Sequence, residues 1–105
     1  MALKKQFFKN KPVCKVTFSF PVEAANDARE VFVVGDFNVW DKSAAPMRKL
    51  KDGSFILTLE LEANKEYQFR YLIDGERWEN DWGADKYVYT HLGDCDNSVV
   101  ITTSD

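Results

Sequence analysis

The chain has 105 residues, 45% of them hydrophobic and 30% charged, with a net charge of −3. That is the size and composition of one ordinary globular domain with a core of its own. Acidic and basic residues are mixed along the chain, with no basic stripe to neutralise phosphates, which argues against nucleic acid as a partner. Nothing approaches the roughly 18 apolar residues of a membrane-spanning helix.

The opening stretch, Met1-Ala2-Leu3-Lys4-Lys5-Gln6-Phe7-Phe8, is briefly basic and apolar. It lacks the apolar run of about 7–15 residues and the small-residue cleavage site of a secretory signal, so a soluble, cytoplasmic protein is expected. Residues 1–12 read as an N-terminal extension and 13–105 as the domain. In Val13–Phe20, Cys14, Val16, Phe18 and Phe20 share one face while Lys15, Thr17 and Ser19 share the other, the mark of a half-buried strand. Pro21–Ala28 reads as a polar connection, too short for a helix that is stable alone.

Glu30–Val34 is apolar on both faces and is expected as a central strand, ended by the turn chemistry of Gly35-Asp36-Phe37-Asn38. Asp52-Gly53 marks another turn. Phe55, Leu57, Leu59 and Leu61 then alternate with Ile56, Thr58 and Glu60, and Ala63-Asn64-Lys65 turns the chain again. Next, Tyr67, Phe69, Tyr71 and Ile73 face one way, with Gln68, Arg70 and Leu72 facing the other. Asp74-Gly75 favours a tight type I′ hairpin turn, with a return strand carrying Glu76, Arg77 and Trp78. Asn80–Asn97 reads as a long acidic segment, and Ser98–Thr103 as the closing strand. Short strands with frequent turn signals and no convincing helix mean an all-β antiparallel sandwich or small barrel.

Aromatic residues make up 14% of the chain, three of them Trp. Alternation points Arg70 away from the core. Trp78 stands just past a hairpin turn, a poor place for a core residue, and in the loop before Trp40, Phe37 is the better core plug. A flat indole covers the apolar C–H face of a sugar ring while a guanidinium and an amide meet the hydroxyls at its edge. Trp82 is expected to pack beneath the acidic loop.

Three pieces carry a resemblance: Val34-Gly35-Asp36-Phe37-Asn38-Val39-Trp40, then Tyr67-Gln68-Phe69-Arg70-Tyr71-Leu72-Ile73-Asp74-Gly75, then Trp78. Together they resemble carbohydrate-binding module family 48, the early-set domains at the N-termini of isoamylase, pullulanase and glycogen-branching enzymes. They are also similar to the glycogen-binding domain of the AMP-activated protein kinase β subunit. The resemblance runs from about Lys15 to Thr102, and implies an immunoglobulin-like (early-set) β-sandwich that binds α-glucans such as glycogen, starch or maltooligosaccharides. It implies that Trp40 and Trp78 stack on sugar, that Arg70 donates to sugar hydroxyls, and that Asn97, ahead of the last strand, hydrogen-bonds glucose. One extra residue between Gly75 and Trp78 departs from the family pattern, as does the loop from Thr90 to Asp96. Leu92 of that loop corresponds only approximately to a Leu that inserts into curved sugar ligands.

Other chemistry finds little footing. Cys14 and Cys95 read as two reduced thiols, and with a single His they fall short of a zinc site. Asp81, Asp85, Asp94 and Asp96 lack the calcium-loop pattern, and His91 has no nucleophile motif beside it. Carboxylate pairs for glycoside hydrolysis need a cleft and a separation of about 5–10 Å, for which a sandwich this small has little room. No enzyme activity, cofactor or metal is expected. A second reading keeps the same fold as a protein-interaction module that docks a partner, a glycogen-metabolising enzyme or a regulator.

Overall fold

A computed structural model describes residue 1, residues 3–91 and residues 95–104. Its strands are β1 (Leu3–Phe7), β2 (Val13–Phe20), β3 (Val31–Gly35), β4 (Arg48–Lys49), β5 (Phe55–Glu62), β6 (Glu66–Ile73), β7 (Arg77–Glu79), β8 (Lys86–Thr90) and β9 (Cys95–Ile101). All pair antiparallel, in two sheets ordered β1-β2-β5-β4 and β3-β6-β9-β8, with β7 beside β6. The result is an immunoglobulin-like β-sandwich.

The period-two faces meet in the middle. Phe18 and Phe20 of β2 lie against Phe69 and Tyr71 of β6, with ring centroids 5.2 Å apart for Phe18–Phe69 and 4.9 Å for Phe20–Tyr71. Val31, Val33, Phe55, Ile73 and Val100 complete this buried layer. Phe37 packs on its rim against Phe18 and Tyr67, the core plug expected of it.

Four details differ from the sequence reading. Leu3–Phe7, within the stretch set apart as an extension, pairs with β2 as an edge strand. The connection after β2 holds one helical turn, α1 (Val22–Ala25), which buries Ala24 and Ala25 and is closed by Asn26 at φ 47. β3 is an edge strand rather than a central one. Its outer edge is covered by the following chain, through Val33 N–H to the Ala45 carbonyl (3.0 Å) and Met47 N–H to the Val31 carbonyl (2.8 Å). Inside the acidic segment lies β8, whose Tyr87, Val88, Tyr89 and Thr90 are good strand formers hidden among Gly and Asp.

A polar cluster centred on the buried Asp81 ties that segment to the sheet. Asp81 accepts the Tyr71 hydroxyl at 2.7 Å and the Gly83 N–H at 2.8 Å, while its own N–H donates to Ser98 Oγ at 2.8 Å. The Tyr87 hydroxyl donates to the Asp81 carbonyl. Burial, with the Asp81 carboxylate next, pushes the Tyr71 hydroxyl well above its ordinary pKa.

Candidate functional site

The outer face of the second sheet is built from the residues that alternate away from the core. Val34 of β3 stands opposite Arg70 of β6, and Leu72 of β6 opposite Trp78 of β7. The register around the hairpin settles where the extra residue goes. Asp74 (φ 52) and Gly75 (φ 70) are both left-handed, as a type I′ turn requires, and the Glu76 N–H donates to the Ile73 carbonyl at 3.1 Å. Pairing resumes only at Ile73–Arg77, so Glu76 is absorbed in the loop. A one-residue slip would have turned Trp78 to the opposite face. As it stands, Trp78 shares the outer face with Leu72 and Arg70.

Trp40 reaches this face from the loop after β3. Gly35 is required there by close approach, because a Cβ would meet the Gln68 carbonyl and lie 2.7 Å from Phe69 Cβ. Asn38 braces the turn, accepting the Gly35 N–H at 3.1 Å and donating to the Val33 carbonyl at 3.0 Å. Val39 (φ 56) and Trp40 (φ 58) follow in the left-handed region, and the Trp40 N–H closes the loop on the Gly35 carbonyl at 2.9 Å. The indole is half-buried, and its Nε1 donates to Asp36 Oδ1 at 2.9 Å. Trp40 therefore offers a ring face, its N–H being already engaged.

Arg70 joins the two indoles. Its guanidinium carbon is 4.8 Å from the Trp78 ring centroid and 6.0 Å from that of Trp40, within cation–π range of both. Lys42 adds an ammonium 5.9 Å from the Trp78 ring. Arg70 Nε is buried without a hydrogen-bond partner, and no carboxylate among the described residues pairs with the guanidinium.

Asn97 lies within β9 rather than ahead of it, 6% exposed. Its Nδ2 donates to Gln68 Oε1 at 3.0 Å, whereas its Oδ1 is buried with no partner. The face therefore brings together Trp40, Arg70 and Trp78, with Asn97 reached through Gln68. Asp36, Gln68, Lys42 and Val39, the last 89% exposed, are participants that the sequence reading did not single out. The Asp four residues before Trp40 was the one available signal.

Trp82 does not pack beneath the acidic loop: it is 57% exposed, because its neighbour Asp81 takes the buried place and swings the indole outward. Asp85 accepts Lys5 Nζ at 2.6 Å and the Ile101 N–H at 2.7 Å. With Asp81 engaged as well, these carboxylates are committed to the protein, and no group of three or more His, Cys, Asp or Glu side chains among the described residues is placed to hold a metal. Leu92 and Asp94 lie outside the described residues. No helix among the described residues is long and apolar enough to cross a membrane.

A stretch of 65 residues, 61% of this chain, is 37% identical to the 1,4-alpha-glucan branching enzyme GlgB of Aquifex aeolicus (strain VF5). That stretch covers 10% of the enzyme, so the chain spans only a small part of its relative's length. Residues 15–90 match carbohydrate-binding module 48, the isoamylase N-terminal domain, a binding module rather than a catalytic one, and the chain belongs to that family.

Proposed function

We propose that the chain binds α-linked glucose polymers of the glycogen or starch type, without catalysis, on the outer face that carries Trp40, Arg70, Trp78 and Asn97. The observation that carries this reading is the placement of one unpaired guanidinium within reach of two half-exposed indoles. Indole faces cover the C–H faces of glucose while the Arg70 guanidinium between them meets hydroxyls at the ring edge, the two needs of a sugar ring. Supporting it further, the relative is named for action on a 1,4-alpha-glucan.

Affinity electrophoresis in native gels tests the proposal. Retardation by glycogen and amylopectin but not by a β-linked glucan is expected, and equal mobility in all gels would reject it.

A second role as a docking module is favoured by one observation. Trp82, Tyr87 and Tyr89 are 57%, 46% and 51% exposed, and the β8–β9 register sets Tyr87 and Tyr89 on the side of Ser98, opposite to that of Asn97. A glycogen-metabolising enzyme would be a fitting partner, tethered to polymer through the other face.

A further inference from the structure

Trp40 is held by a loop that is costly to form. Two consecutive non-glycine residues, Val39 and Trp40, are left-handed, a conformation that persists only where its surroundings over-determine it. Asp36 adds to that determination from one side chain. Its Oδ1 accepts the Trp40 indole N–H at 2.9 Å and its Oδ2 accepts the Gln68 backbone N–H at 2.8 Å, 32 residues away on β6. The Gln68 side chain in turn accepts from Asn97 Nδ2 at 3.0 Å. A continuous hydrogen-bonded strap therefore runs from the indole through a carboxylate and a strand to the amide on β9. Bonds to a charged acceptor are the stronger kind, and an anchored ring loses less freedom when a ligand arrives.

We infer that Asp36 is the positioning residue of the sugar platform, fixing the plane of Trp40 against β6 so that the ring is set before ligand binds. The inference rests on the stacking reading above. Each Asp36 oxygen accepts one bond within the protein, and its part in binding is played through the ring it holds. Replacing it by Asn keeps the size but leaves one of the two donors, Trp40 Nε1–H or Gln68 N–H, facing an amide N–H₂.

A double-mutant cycle tests this, with maltoheptaose as the probe, titration calorimetry for affinity and nuclear magnetic resonance for the Trp40 indole proton. Asp36→Asn should weaken binding about fivefold in the parent and speed solvent exchange of the Trp40 Nε1 proton. In a Trp40→Phe background, which keeps a ring but removes the N–H, the same change should cost less than about twofold, since the two positions act as one unit. Equal losses in both backgrounds, or an unchanged indole proton with unchanged affinity, would overturn the positioning role while leaving the stacking reading in place. Full affinity in Trp40→Ala would instead overturn the stacking reading, and the positioning role with it.

Discussion

The guanidinium carbon of Arg70 lies 4.8 Å from the ring centroid of Trp78, held there by neighbouring strands whose register places Leu72 opposite Trp78. One side chain thus stabilises the ring and keeps donors directed to the same surface. Arg70→Ala should weaken maltoheptaose binding about tenfold, equivalent to 1.4 kcal/mol. Arg70→Lys should recover part of that loss, keeping the charge without the planar fork. Because the proposed ligand, an α-glucan, is neutral, parent affinity should change little as salt is raised. Calorimetry on the three proteins at two ionic strengths checks this, and a parent that loses affinity steeply with salt would argue for an ionic ligand.

The buried Tyr71–Asp81 pair should matter for stability and not for sugar. Tyr71→Phe leaves Asp81 Oδ2 buried without its donor, at a cost of about 1–3 kcal/mol. Thermal melting should show the loss, while affinity stays at the parent value because Tyr71 faces the core.

Acid sensitivity should trace in part to the hairpin turn. Asp74 Oδ1 accepts the N–H groups of Arg29 at 2.8 Å and Glu30 at 3.0 Å, and the Glu30 bond followed by the Arg29 bond lowers its pKa from 3.8. A depressed carboxylate contributes stability that is fully present above its unfolded pKa and is lost as pH falls through the lower folded value. Melting temperature of the parent should therefore fall below about pH 4, and Asp74→Asn should flatten that limb. Parallel acid limbs in the two proteins would rule out the turn as a source.

The two thiols should behave differently. Both are free; Cys14 is fully buried in β2 and its pKa is raised, chiefly by burial, while Cys95 is partly exposed. Titration with a thiol reagent should show one fast group and one that reacts only on unfolding. No reactive thiol after denaturation would mean a disulfide instead.

Much of this architecture is legible in the residue order, because it follows from local rules. Alternation gives β2, β5 and β6, and fixes the outward direction of Arg70; the Asp74-Gly75 pair gives the hairpin. What escapes is long-range or disguised. β1 is rich in Lys and covers the sheet edge only once β2 exists to pair with it. β8 is bracketed by Gly and Asp residues that read as loop. The edge position of β3 depends on where residues 45–47 return, and no periodicity reports that. Likewise, the bond from Asp36 to the Gln68 backbone spans 32 residues and leaves no local trace. Trp82 misleads for a simpler reason: Asp81, a residue type seldom buried, takes the interior place beside it.

The most direct test of the account measures sugar affinity and melting temperature together on Trp40→Ala and Trp78→Ala. On the proposed stacking, each indole would remove about 100 Å² of apolar surface from water, roughly 2.5 kcal/mol, part of it offset by ordering of the ligand. Parent affinity for a maltooligosaccharide is expected between about 1 μM and 1 mM. Each Ala variant should lose most of that affinity while losing no more than about 1 kcal/mol of stability, the scale of an exposed cation–π contact. If either variant binds as well as the parent, or is destabilised by about 3–5 kcal/mol as a core Trp would be, the indoles of the outer face are not a sugar platform.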